Sequence, residues 1–519
     1  MKPIVKISVS ALLCGVFAAG TCACFGGGGG GTDINFDIDF SNKPTLNVLM
    51  PNSGYDTAYI NADENAKVVE RVTGYKVNYS QLPATQADSN LGLQLGDHAA
   101  YNAIKLTSSQ FSALVSQDVL LDLKPAIDAF GPVLKEVISE ESWATVTVDG
   151  KIYGIPERSS SDNIQYPVAF RQDWLDALNL DIPSTPEELY ETLKALKAAH
   201  TSGNTAFYPL TFDQYTPVVW AIAAGFGIYA DWQEYEIDGK TEIRYYMDAP
   251  GYKDYVDFMA KLYEEGLIDR EVNTRDSATC MQRFTSGNAA AISTSVWSVT
   301  SLVTGLSQSI PDAATRPQEF FGYLRALKNE KGEEHANRLG GCPYVTAIPF
   351  YMAENAGYVI DWINSKLTDT AEAHNFRDIV LGDENVHWTY NPTTQEYLPL
   401  GDAFNEKDTA SYYLTGSNET VYTQYWLARV HKQPELFRVW SLLMRNADMV
   451  GVYDALDFAP PIAEYADVRA VIELYSQDQF YVMLATDKGT GKLNEYLTKW
   501  KKDGGTSATN AINKWFASK

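Results

Sequence analysis

Histidine and cysteine are scarce in this sequence, and their scarcity excludes several kinds of active site. The 519 residues include 6 His and 5 Cys, and no two histidines have the close spacing of a zinc-binding helix pair. The sequence also lacks a G-x-S-x-G nucleophile elbow, a G-x-x-x-x-G-K-[ST] phosphate loop and a G-x-G-x-x-G dinucleotide loop. The prediction is therefore a protein without catalytic residues, cofactor or metal.

Positive charge is also in deficit. There are 41 Lys and Arg against 66 Asp and Glu, so the formal net charge is −25. Nucleic acids and anionic membrane faces need a basic partner, and a protein whose main task is to grip either of them is excluded. The 66 acidic residues leave one enzymatic alternative open, a glycoside hydrolase, because such an enzyme needs only two well-placed carboxylates.

Only one run is hydrophobic enough to suggest membrane targeting, and it lies at the N-terminus. Lys2 and Lys6 precede an apolar stretch over residues 7–19, which is shorter than the about 20 residues of a membrane span. Small residues follow up to Cys24. Residues 1–23 are therefore predicted to be a secretory signal peptide.

The residues around Cys24 resemble a bacterial lipobox. In Thr21-Cys22-Ala23-Cys24, small residues precede a cysteine that would take a diacylglyceryl group and become the mature N-terminus. The alternative is ordinary signal cleavage nearby. Lipidation at Cys24 would tether the protein to the outer face of the cell membrane.

Residues 24–43 are predicted to be a tether. Six glycines, Gly26–Gly31, cannot hold one conformation. The acids of residues 33–39 alternate as in the first half of a calcium loop, but the turn glycine and the twelfth-position Glu are missing. We interpret this stretch as a solvated acidic linker.

Two cysteines remain in the body of the chain, Cys280 and Cys342. Export permits a disulfide between them. Two cysteines in a body of this size do not form a disulfide framework, so two free or buried thiols are the favoured interpretation and a disulfide is the alternative.

From Leu46 onward, short apolar strands alternate with amphipathic helices, which is typical of an α/β protein with mostly parallel sheets. Residues 46–50 are predicted to form a strand, residues 62–73 a helix closed by Gly74, and residues 75–79 the next strand. Thr185-Pro186-Glu187-Glu188 predicts a helix start, and the leucines that follow it at helical spacing predict a core stripe.

Six short segments give the chain a family resemblance when taken in order. They are LLDLKP (120–125), GKIYGIP (150–156), FRQDWL (170–175), EGLID (265–269), FTSGNAA (284–290) and VHWT (386–389). Together they resemble the extracellular solute-binding proteins of ABC importers, in the branch that includes maltose-binding protein. The resemblance extends over nearly all of residues 44–519 and is closest to the longer lipoprotein members of Gram-positive bacteria.

The resemblance implies a two-lobed, periplasmic-binding-protein-like (type II) clamshell whose chain crosses between the lobes more than once. Transferred to this sequence, the first lobe would comprise residues 44–165 plus 347–405, and the second lobe residues 166–346 plus 406–519. A ligand would be enclosed in the cleft between the lobes.

A sugar ligand would use aromatic side chains for the apolar face of its ring and planar polar groups for its hydroxyls. The resemblance places the best stacking candidate at Trp297, after the strand that follows the FTSGNAA segment. The further ligand-binding candidates are Tyr55, Tyr166, Arg171, Trp220 and Phe458. Arg158, Arg171, Arg244 and Arg283 could also form a local basic pocket. Trp388 with His387 is expected to fix a turn.

One departure from the relatives concerns calcium. Several relatives have an Asp- and Asn-rich calcium loop after the helix that begins at Thr185, but residues 199–208 contain no carboxylate here. The calcium site is predicted to be lost.

The leading hypothesis is a lipid-anchored, non-enzymatic monomer that binds an oligosaccharide and delivers it to ABC transporter permease subunits. The alternatives are the same fold binding a peptide or another small polar solute, a secreted glycoside hydrolase, and a surface adhesion protein without hinge motion.

Overall fold

The computed structural model describes residues 33–159, 164, 166–201, 204, 206–215, 218–444 and 449–519. Within them the strands are, in chain order, β1 (Leu46–Met50), β2 (Val77–Gln81), β3 (Ala103–Thr107), β4 (Thr147–Val148), β5 (Lys151–Ile152), β6 (Ile155–Glu157), β7 (Val168–Arg171), β8 (Leu210–Thr211), β9 (Trp232–Ile237), β10 (Lys240–Tyr245), β11 (Ala291–Ser293), β12 (Phe321–Leu324), β13 (Glu334–Asn337), β14 (Tyr344–Ala347), β15 (Trp388–Asn391), β16 (Glu396–Pro399) and β17 (Met449–Val452).

The α-helices of the described residues are α1 (Thr57–Ala62), α2 (Glu64–Thr73), α3 (Ala87–Gly96), α4 (Ser108–Val115), α5 (Lys124–Phe130), α6 (Pro132–Val137), α7 (Glu140–Ala144), α8 (Gln172–Ala177), α9 (Pro186–His200), α10 (Trp220–Ala223), α11 (Tyr252–Glu264), α12 (Ser277–Thr285), α13 (Val299–Ser307), α14 (Asp312–Thr315), α15 (Ala356–Leu367), α16 (Asn375–Leu381), α17 (Tyr422–His431), α18 (Pro434–Met444), α19 (Ala463–Ala466), α20 (Arg469–Val482), α21 (Leu493–Trp500) and α22 (Thr506–Phe516). In the part of the chain that is described, none of them is long and apolar enough to cross a bilayer.

Two mixed sheets form the centres of two lobes. The first lobe is built on the strand order β2-β1-β3-β14-β6, in which β1 pairs in parallel with β2 and β3, while β14 runs antiparallel to β3 and β6. The second lobe is built on the order β12-β7-β11-β8. There, β8 and β11 are parallel, and β7 runs antiparallel to β11 and β12.

The expectation of mostly parallel sheets holds for the direction of most strands but fails at one strand in each sheet, β14 and β7, and the crossings explain why. β7 is the strand that the chain enters after leaving the first lobe, and β14 is the strand that it enters on return. Each begins at the edge of its sheet that faces the other lobe, where most of the neighbouring strands end. A strand that enters at this edge must run antiparallel to them.

The start and the buried face of α9 agree with the sequence prediction. The Thr185 side chain accepts a hydrogen bond from the amide of Glu188, and Pro186 occupies the first helical turn of α9. The predicted leucine stripe, Leu189, Leu193 and Leu196, is buried in the core of the second lobe. The prediction of this helix and its core face is confirmed.

The helix predicted over residues 62–73 is two helices. Asp63 lies between α1 and α2, and its side chain accepts a hydrogen bond from the amide of Asn65, which caps the second helix and ends the first. α2 closes at Gly74, which has a φ of 73°. The strand predicted at residues 75–79 begins two residues later, at Val77.

The third crossing lies well beyond the predicted boundary at residue 405. Tyr413, Tyr425 and Ala428 are buried in the core of the first lobe, whereas Val430 is buried in the second. The chain therefore returns to the second lobe inside α17. No break in the helical pattern marks this position, which explains the error. The second segment of the first lobe also begins earlier than residue 347, because all of β14 belongs to the first sheet.

Two buried lysines hold this return segment on the first lobe. Lys105 Nζ lies 2.7 Å from Glu157 Oε2 and donates to the carbonyl oxygen of Leu414 at 2.8 Å. Lys366 donates to the carbonyl oxygen of Tyr413 and to the hydroxyl of Thr415. Burial lowers the pKa of Lys366 and Lys105 and raises the pKa of Glu157. Removal of one partner would leave the other charge buried and unpaired, which is strongly destabilising.

The prediction of a solvated linker up to residue 43 is wrong for residues 33–43. The acids of this segment are exposed, but the apolar residues between them pack on the first lobe. The Phe40 ring lies edge-on to the ring of Phe130 at 5.5 Å and to that of Tyr358 at 5.9 Å. Ile38 packs closely against Gly357: a Cβ on residue 357 would lie only 2.2 Å from the Cδ1 atom of Ile38. We name residues 33–43 the docked segment. Cys24 and the predicted signal peptide lie outside the described residues.

Candidate functional site

The topology places the ends of several strands at the edge of each sheet that faces the other lobe. In the first sheet, β1, β2 and β3 are parallel and end together, and Tyr344, which begins β14, pairs with Thr107 and Glu157 at the same edge. In the second sheet, β8 and β11 end together, and Ser293 pairs with Val168, the first residue of β7. We call these two borders the interlobe edges. Loops that leave them are positioned to meet a ligand from both sides.

The crossing segments pair with one another between the lobes. Ile164 forms an antiparallel bridge with Arg338, and the Arg338 amide donates to the carbonyl oxygen of Val452 at 2.9 Å. The Ser159 amide donates to the carbonyl oxygen of Gly341 at 3.0 Å.

The lobes also touch away from these strands. The Arg158 guanidinium of the first lobe lies 4.6 Å from the centre of the Phe458 ring of the second. α19 of the second lobe lies against α4 of the first.

Exposed aromatic side chains collect at the interlobe edges. Tyr55 is 49% exposed and follows β1, Tyr215 is 73% exposed and follows β8, and Trp297 is 37% exposed and follows β11. Tyr59 and Tyr453 are exposed as well. Single exposed apolar residues are ordinary on a folded protein, but several that lie along the two sides of one cleft form a surface that recognition can use. The sequence predictions included Tyr55 and Trp297 but missed Tyr59, Tyr215 and Tyr453.

Trp297 is held on a short turn at the end of β11. The Ser295 hydroxyl accepts a hydrogen bond from the Trp297 amide, and Val296 anchors the turn in the core of the second lobe. The Trp426 ring of α17 lies edge-on to Trp297, with 5.6 Å between ring centres. One face of an indole is thereby presented on a rigid support, as a stacking platform requires.

Tyr55 is supported in a different way. Its ring stacks on that of Tyr59, with centres 4.6 Å apart and planes inclined by 20°. The Ser53 hydroxyl accepts from the Tyr55 amide, and the Gln81 side chain donates to the Tyr55 carbonyl oxygen at 3.0 Å. These hydrogen bonds fix the loop after β1 and present a two-ring surface from the first lobe.

The other predicted aromatics are less open. Tyr166 is half-buried just before β7, and burial together with the nearby Asp213 charge raises its pKa. Trp220 begins α10 and packs edge-on to Tyr246 at 6.4 Å. Phe458 is half-buried beneath Arg158. Tyr166 is placed at the interlobe edge by β7, whereas Trp220 packs on the core of the second lobe.

The structure contradicts the assignment of Arg171 as a ligand-binding residue. Arg171 is the last residue of β7. It therefore lies at the edge of the second sheet that points away from the first lobe. Its side chain is 4% exposed, its Nε donates to Asp173 at 2.8 Å, and its guanidinium lies over the Trp174 ring at 4.3 Å. Its hydrogen-bonding capacity is used within the protein.

The local basic pocket considered for Arg158, Arg171, Arg244 and Arg283 does not form. Arg158 pairs with Glu141 and Glu419, and Arg244 pairs with Glu242. Arg283 pairs with Asp269 in the second lobe. Each of the four guanidinium groups lies beside a carboxylate of its own lobe, so none is left to attract an anion.

Arg283 bears on the predicted loss of calcium at residues 199–208, a stretch of which residues 202, 203 and 205 lie outside the described chain. Its guanidinium donates to the carbonyl oxygens of Ala206 and Asn288, and its Nε lies 2.7 Å from the fully buried Asp269 carboxylate. Carbonyl and carboxylate oxygens are ligands that suit calcium. Here a side-chain cation binds them, and the loss of the calcium site stays a prediction.

Cys280 and Cys342 are free and buried, which confirms the favoured interpretation. Burial raises the pKa of both thiols to about 11, so neither is a reactive thiolate at neutral pH. Among the residues that are described, no three His, Cys, Asp or Glu side chains cluster as a metal site would require. The Trp388 indole donates to the carbonyl oxygen of Gly382, as expected for a residue that fixes a turn.

Comparison with known sequences identifies relatives. A family model described as bacterial extracellular solute-binding protein matches residues 66–399. The lipoprotein LipO of Bacillus subtilis is 26% identical over 48% of this chain and 50% of its own length. FusA of Streptococcus pneumoniae, a fructooligosaccharide ABC transporter substrate-binding protein, is 26% identical over 41% of this chain and 44% of its own. These alignments span about half the length of either relative.

Solved structures are similar over almost the whole chain. FusA in complex with kestose superposes with a TM-score of 0.65 at 17% identity, covering 92% of this chain and 99% of FusA. The alginate-binding protein AlgQ2 superposes with a TM-score of 0.63 at 18% identity, covering 91% of this chain and 98% of AlgQ2. At such identities the likeness concerns the fold.

Proposed function

Because this chain belongs to the family of bacterial extracellular solute-binding proteins, we propose that it captures an oligosaccharide between its two lobes and delivers it to the permease of an ABC transporter. The family resemblance and the two-lobed, type II periplasmic-binding-protein-like fold predicted from the sequence are confirmed. The family consists of binding proteins and not of enzymes, which also confirms the prediction of a non-enzymatic protein. The sugar, the permease and the lipid anchor belong to the proposal.

The observation that carries the proposal is the set of exposed aromatic rings at the interlobe edges. Tyr55 with Tyr59 offers a flat surface on the first lobe, and Trp297 offers one on the second. The apolar face of a pyranose or furanose ring stacks on such surfaces, and the ring hydroxyls need polar groups around its rim. FusA and AlgQ2 are named for fructooligosaccharide and alginate, which are both carbohydrates.

Thermal unfolding with candidate ligands tests the sugar. The purified protein is mixed with neutral and acidic oligosaccharides, and with tripeptides as the contrast set. A ligand that binds only the folded state raises Tm by an amount set by its concentration over Kd. A rise with one oligosaccharide series, with no shortening of that oligosaccharide, supports the proposal. A rise only with peptides would replace sugar by peptide, and shortened products would contradict a binding protein.

The lipid anchor is proposed on Cys24 and its lipobox-like surroundings. LipO is named a lipoprotein, which supports the proposal. The proposal includes a monomer, because the cleft is formed by two lobes of the same chain and one anchored copy is enough to bind a ligand. Expression of the full chain and of a Cys24→Ala variant in a Gram-positive host tests the anchor. The full chain should remain with the membranes, and the variant should be released or retain its signal peptide; equal membrane retention of both would contradict lipidation.

A further inference from the structure

The docked segment is attached at one particular end of the first lobe. Its last residue, Lys43, donates through Nζ to the carbonyl oxygen of Thr73 at 2.8 Å and lies 3.3 Å from Asp361 Oδ2. Thr73 ends α2, shortly before β2 begins. Because β1, β2 and β3 end together at the interlobe edge, their starts mark the opposite edge of the first sheet. We call this border the outer edge of the first lobe.

The middle of the docked segment is held at the same border. Ile38 packs against Gly357 in the first turn of α15. The strand β14 runs away from the interlobe edge, and the residues after it stay at the outer edge, since the Tyr351 hydroxyl donates to the carbonyl oxygen of Ala99 ahead of β3. α15 begins shortly after Tyr351. The docked segment therefore lies at the end of the first lobe that points away from the second lobe.

Several contacts share the attachment. Ile34 packs on the core of the first lobe, and the Phe40 ring contacts the rings of Phe130 and Tyr358. The side chains of Ile34, Ile38 and Phe40 are all half-buried. The folded body of the protein therefore begins near Ile34, well before the first strand.

This attachment shortens the predicted tether. Cys24, the proposed lipidation site, is nine residues before Asp33 and 22 residues before Leu46, where β1 begins. A fully extended chain of nine residues spans about 30 Å, whereas one of 22 residues spans about 75 Å. With the segment docked, the outer edge of the first lobe stays within about 30 Å of the lipid anchor. The second lobe is under no such direct limit.

Attraction to lipid does not account for this placement. Asp33, Asp37 and Asp39 are exposed on the docked segment, and the chain carries a formal net charge of −25. These charges oppose close contact with an anionic bilayer. The covalent link at Cys24 is therefore what holds the outer edge near the membrane, and the exposed acids keep it from lying against the lipid.

We propose that the docked segment positions the protein on the membrane: it transfers the restraint of the lipid anchor to the outer edge of the first lobe, which makes the first lobe membrane-proximal and the second lobe distal. The inference rests on the proposed lipid anchor at Cys24. It adds an interaction surface, the outer edge of the first lobe, which faces the bilayer. A shorter effective tether also raises the local concentration of the protein beside a membrane-embedded partner.

Energy transfer to labelled lipids tests the placement. The lipidated full chain is reconstituted in vesicles that contain an acceptor-labelled lipid. A donor is attached at Lys76→Cys, just before β2, or at Gln282→Cys, in the last turn of α12 on the second lobe. Both positions are exposed, and the native Cys280 and Cys342 are buried and do not compete for the label. Transfer from position 76 should exceed transfer from position 282 by about twofold or more, because the tether limits only the first site directly.

Two variants assign the placement to the docked segment. Insertion of about ten Gly and Ser residues after Gly31 lengthens the tether without touching the fold, and it should lower transfer from position 76 and reduce the difference between the two sites. Ile38→Ala combined with Phe40→Ala should do the same by releasing the segment. Asn42→Ala changes an exposed residue of the same segment and is the matched control, which should keep the original pattern. Unchanged transfer in either variant would overturn the inference.

The outcomes separate this inference from the anchor on which it rests. Release of the full chain from membranes would overturn the lipid anchor and the inference together. Equal transfer from positions 76 and 282 of a membrane-bound chain would overturn the inference and leave the anchor intact. Both measurements use the protein without ligand, so failure of the proposed sugar binding changes neither result.

Discussion

The two edges of the second sheet carry similar residues, but these residues are packed against protein at one edge and partly open to solvent at the other. At the edge away from the first lobe, Arg171 pairs with Asp173 and lies over Trp174, whose ring also stacks on His200 at 3.8 Å. At the interlobe edge, Trp297 is partly open to solvent. Residue type alone therefore does not identify a candidate binding residue; its exposure and its contacts within the protein are needed as well. The arginine and aromatic side chains at the far edge pack on one another, whereas Trp297 at the interlobe edge keeps part of its ring open to solvent.

The largest expected effect concerns Asp269, a buried charge beside β8 whose partners, like those of Arg171, lie within the protein. Asp269 is fully buried and lies 2.7 Å from the Nε atoms of Arg275 and Arg283. Asp269→Ala leaves two guanidinium groups without their shared partner, and the free energy of unfolding should fall by about 3–5 kcal/mol. Urea denaturation measures it. Asp312→Ala, which breaks an exposed pair with Arg316, should change it by less than about 1 kcal/mol, and an equal loss in both would contradict the argument.

A pair of tryptophan variants sharpens the comparison between the two edges. Trp297→Ala should weaken binding of the identified oligosaccharide by about tenfold to a hundredfold and change Tm little, because the proposed site uses the ring as a stacking platform. Trp174→Ala should lower the free energy of unfolding by about 2–3 kcal/mol and leave Kd unchanged, because its contacts are internal. Calorimetric titration gives Kd for each variant, and urea denaturation gives its free energy of unfolding. A loss of affinity in Trp174→Ala together with a loss of stability in Trp297→Ala would contradict the roles assigned to the two edges.

A third comparison uses the docked segment, which lies on the first lobe away from both edges. Phe40→Ala should lower the free energy of unfolding by about 1–3 kcal/mol, since this half-buried ring contacts Phe130 and Tyr358. Phe36, which is 54% exposed, is the matched control, and its alanine variant should lose less. Equal losses, or a change in ligand affinity, would contradict the packing described for this segment.

The smallest expected effect concerns Tyr215. Its ring is 73% exposed, so Tyr215→Ala should change the free energy of unfolding by less than about 0.5 kcal/mol. If the ring closes over bound ligand, affinity should fall by a few fold. Calorimetric titration of this variant beside Tyr453→Ala would show whether both rings contribute, and unchanged affinity would remove Tyr215 from the site.

Much of the fold could be predicted because its signals are local. β1 has the predicted bounds, and the cap at Thr185 depends only on residues within one turn. The third crossing could not be predicted, because α17 continues through it without a break in pattern and only tertiary packing distinguishes Ala428 from Val430. The prediction of a solvated linker failed for the docked segment because it relied on the acidic residues and ignored the apolar residues that alternate with them.

The candidate site was harder to predict for a related reason. Tyr55 could be proposed because it follows a strand, and Trp297 because the family resemblance places a stacking Trp there. Tyr215 follows β8 as Tyr55 follows β1, so the strand signal was available for it too. Arg171 also adjoins a strand, but its direction in the sheet decides which edge it occupies, and strand direction depends on the crossings.

The contact between Arg158 and Phe458 has a consequence for how affinity can vary. It joins the lobes through protein atoms, and a contact of this kind that is made only in the closed state would raise the fraction of molecules that are closed before any ligand arrives. The apparent dissociation constant equals the intrinsic constant divided by that fraction. Loss of a cation–π contact of about 1 kcal/mol could thus weaken apparent affinity by about fivefold while every sugar contact stays the same. Affinity would then depend partly on contacts between protein side chains as well as on contacts with the ligand.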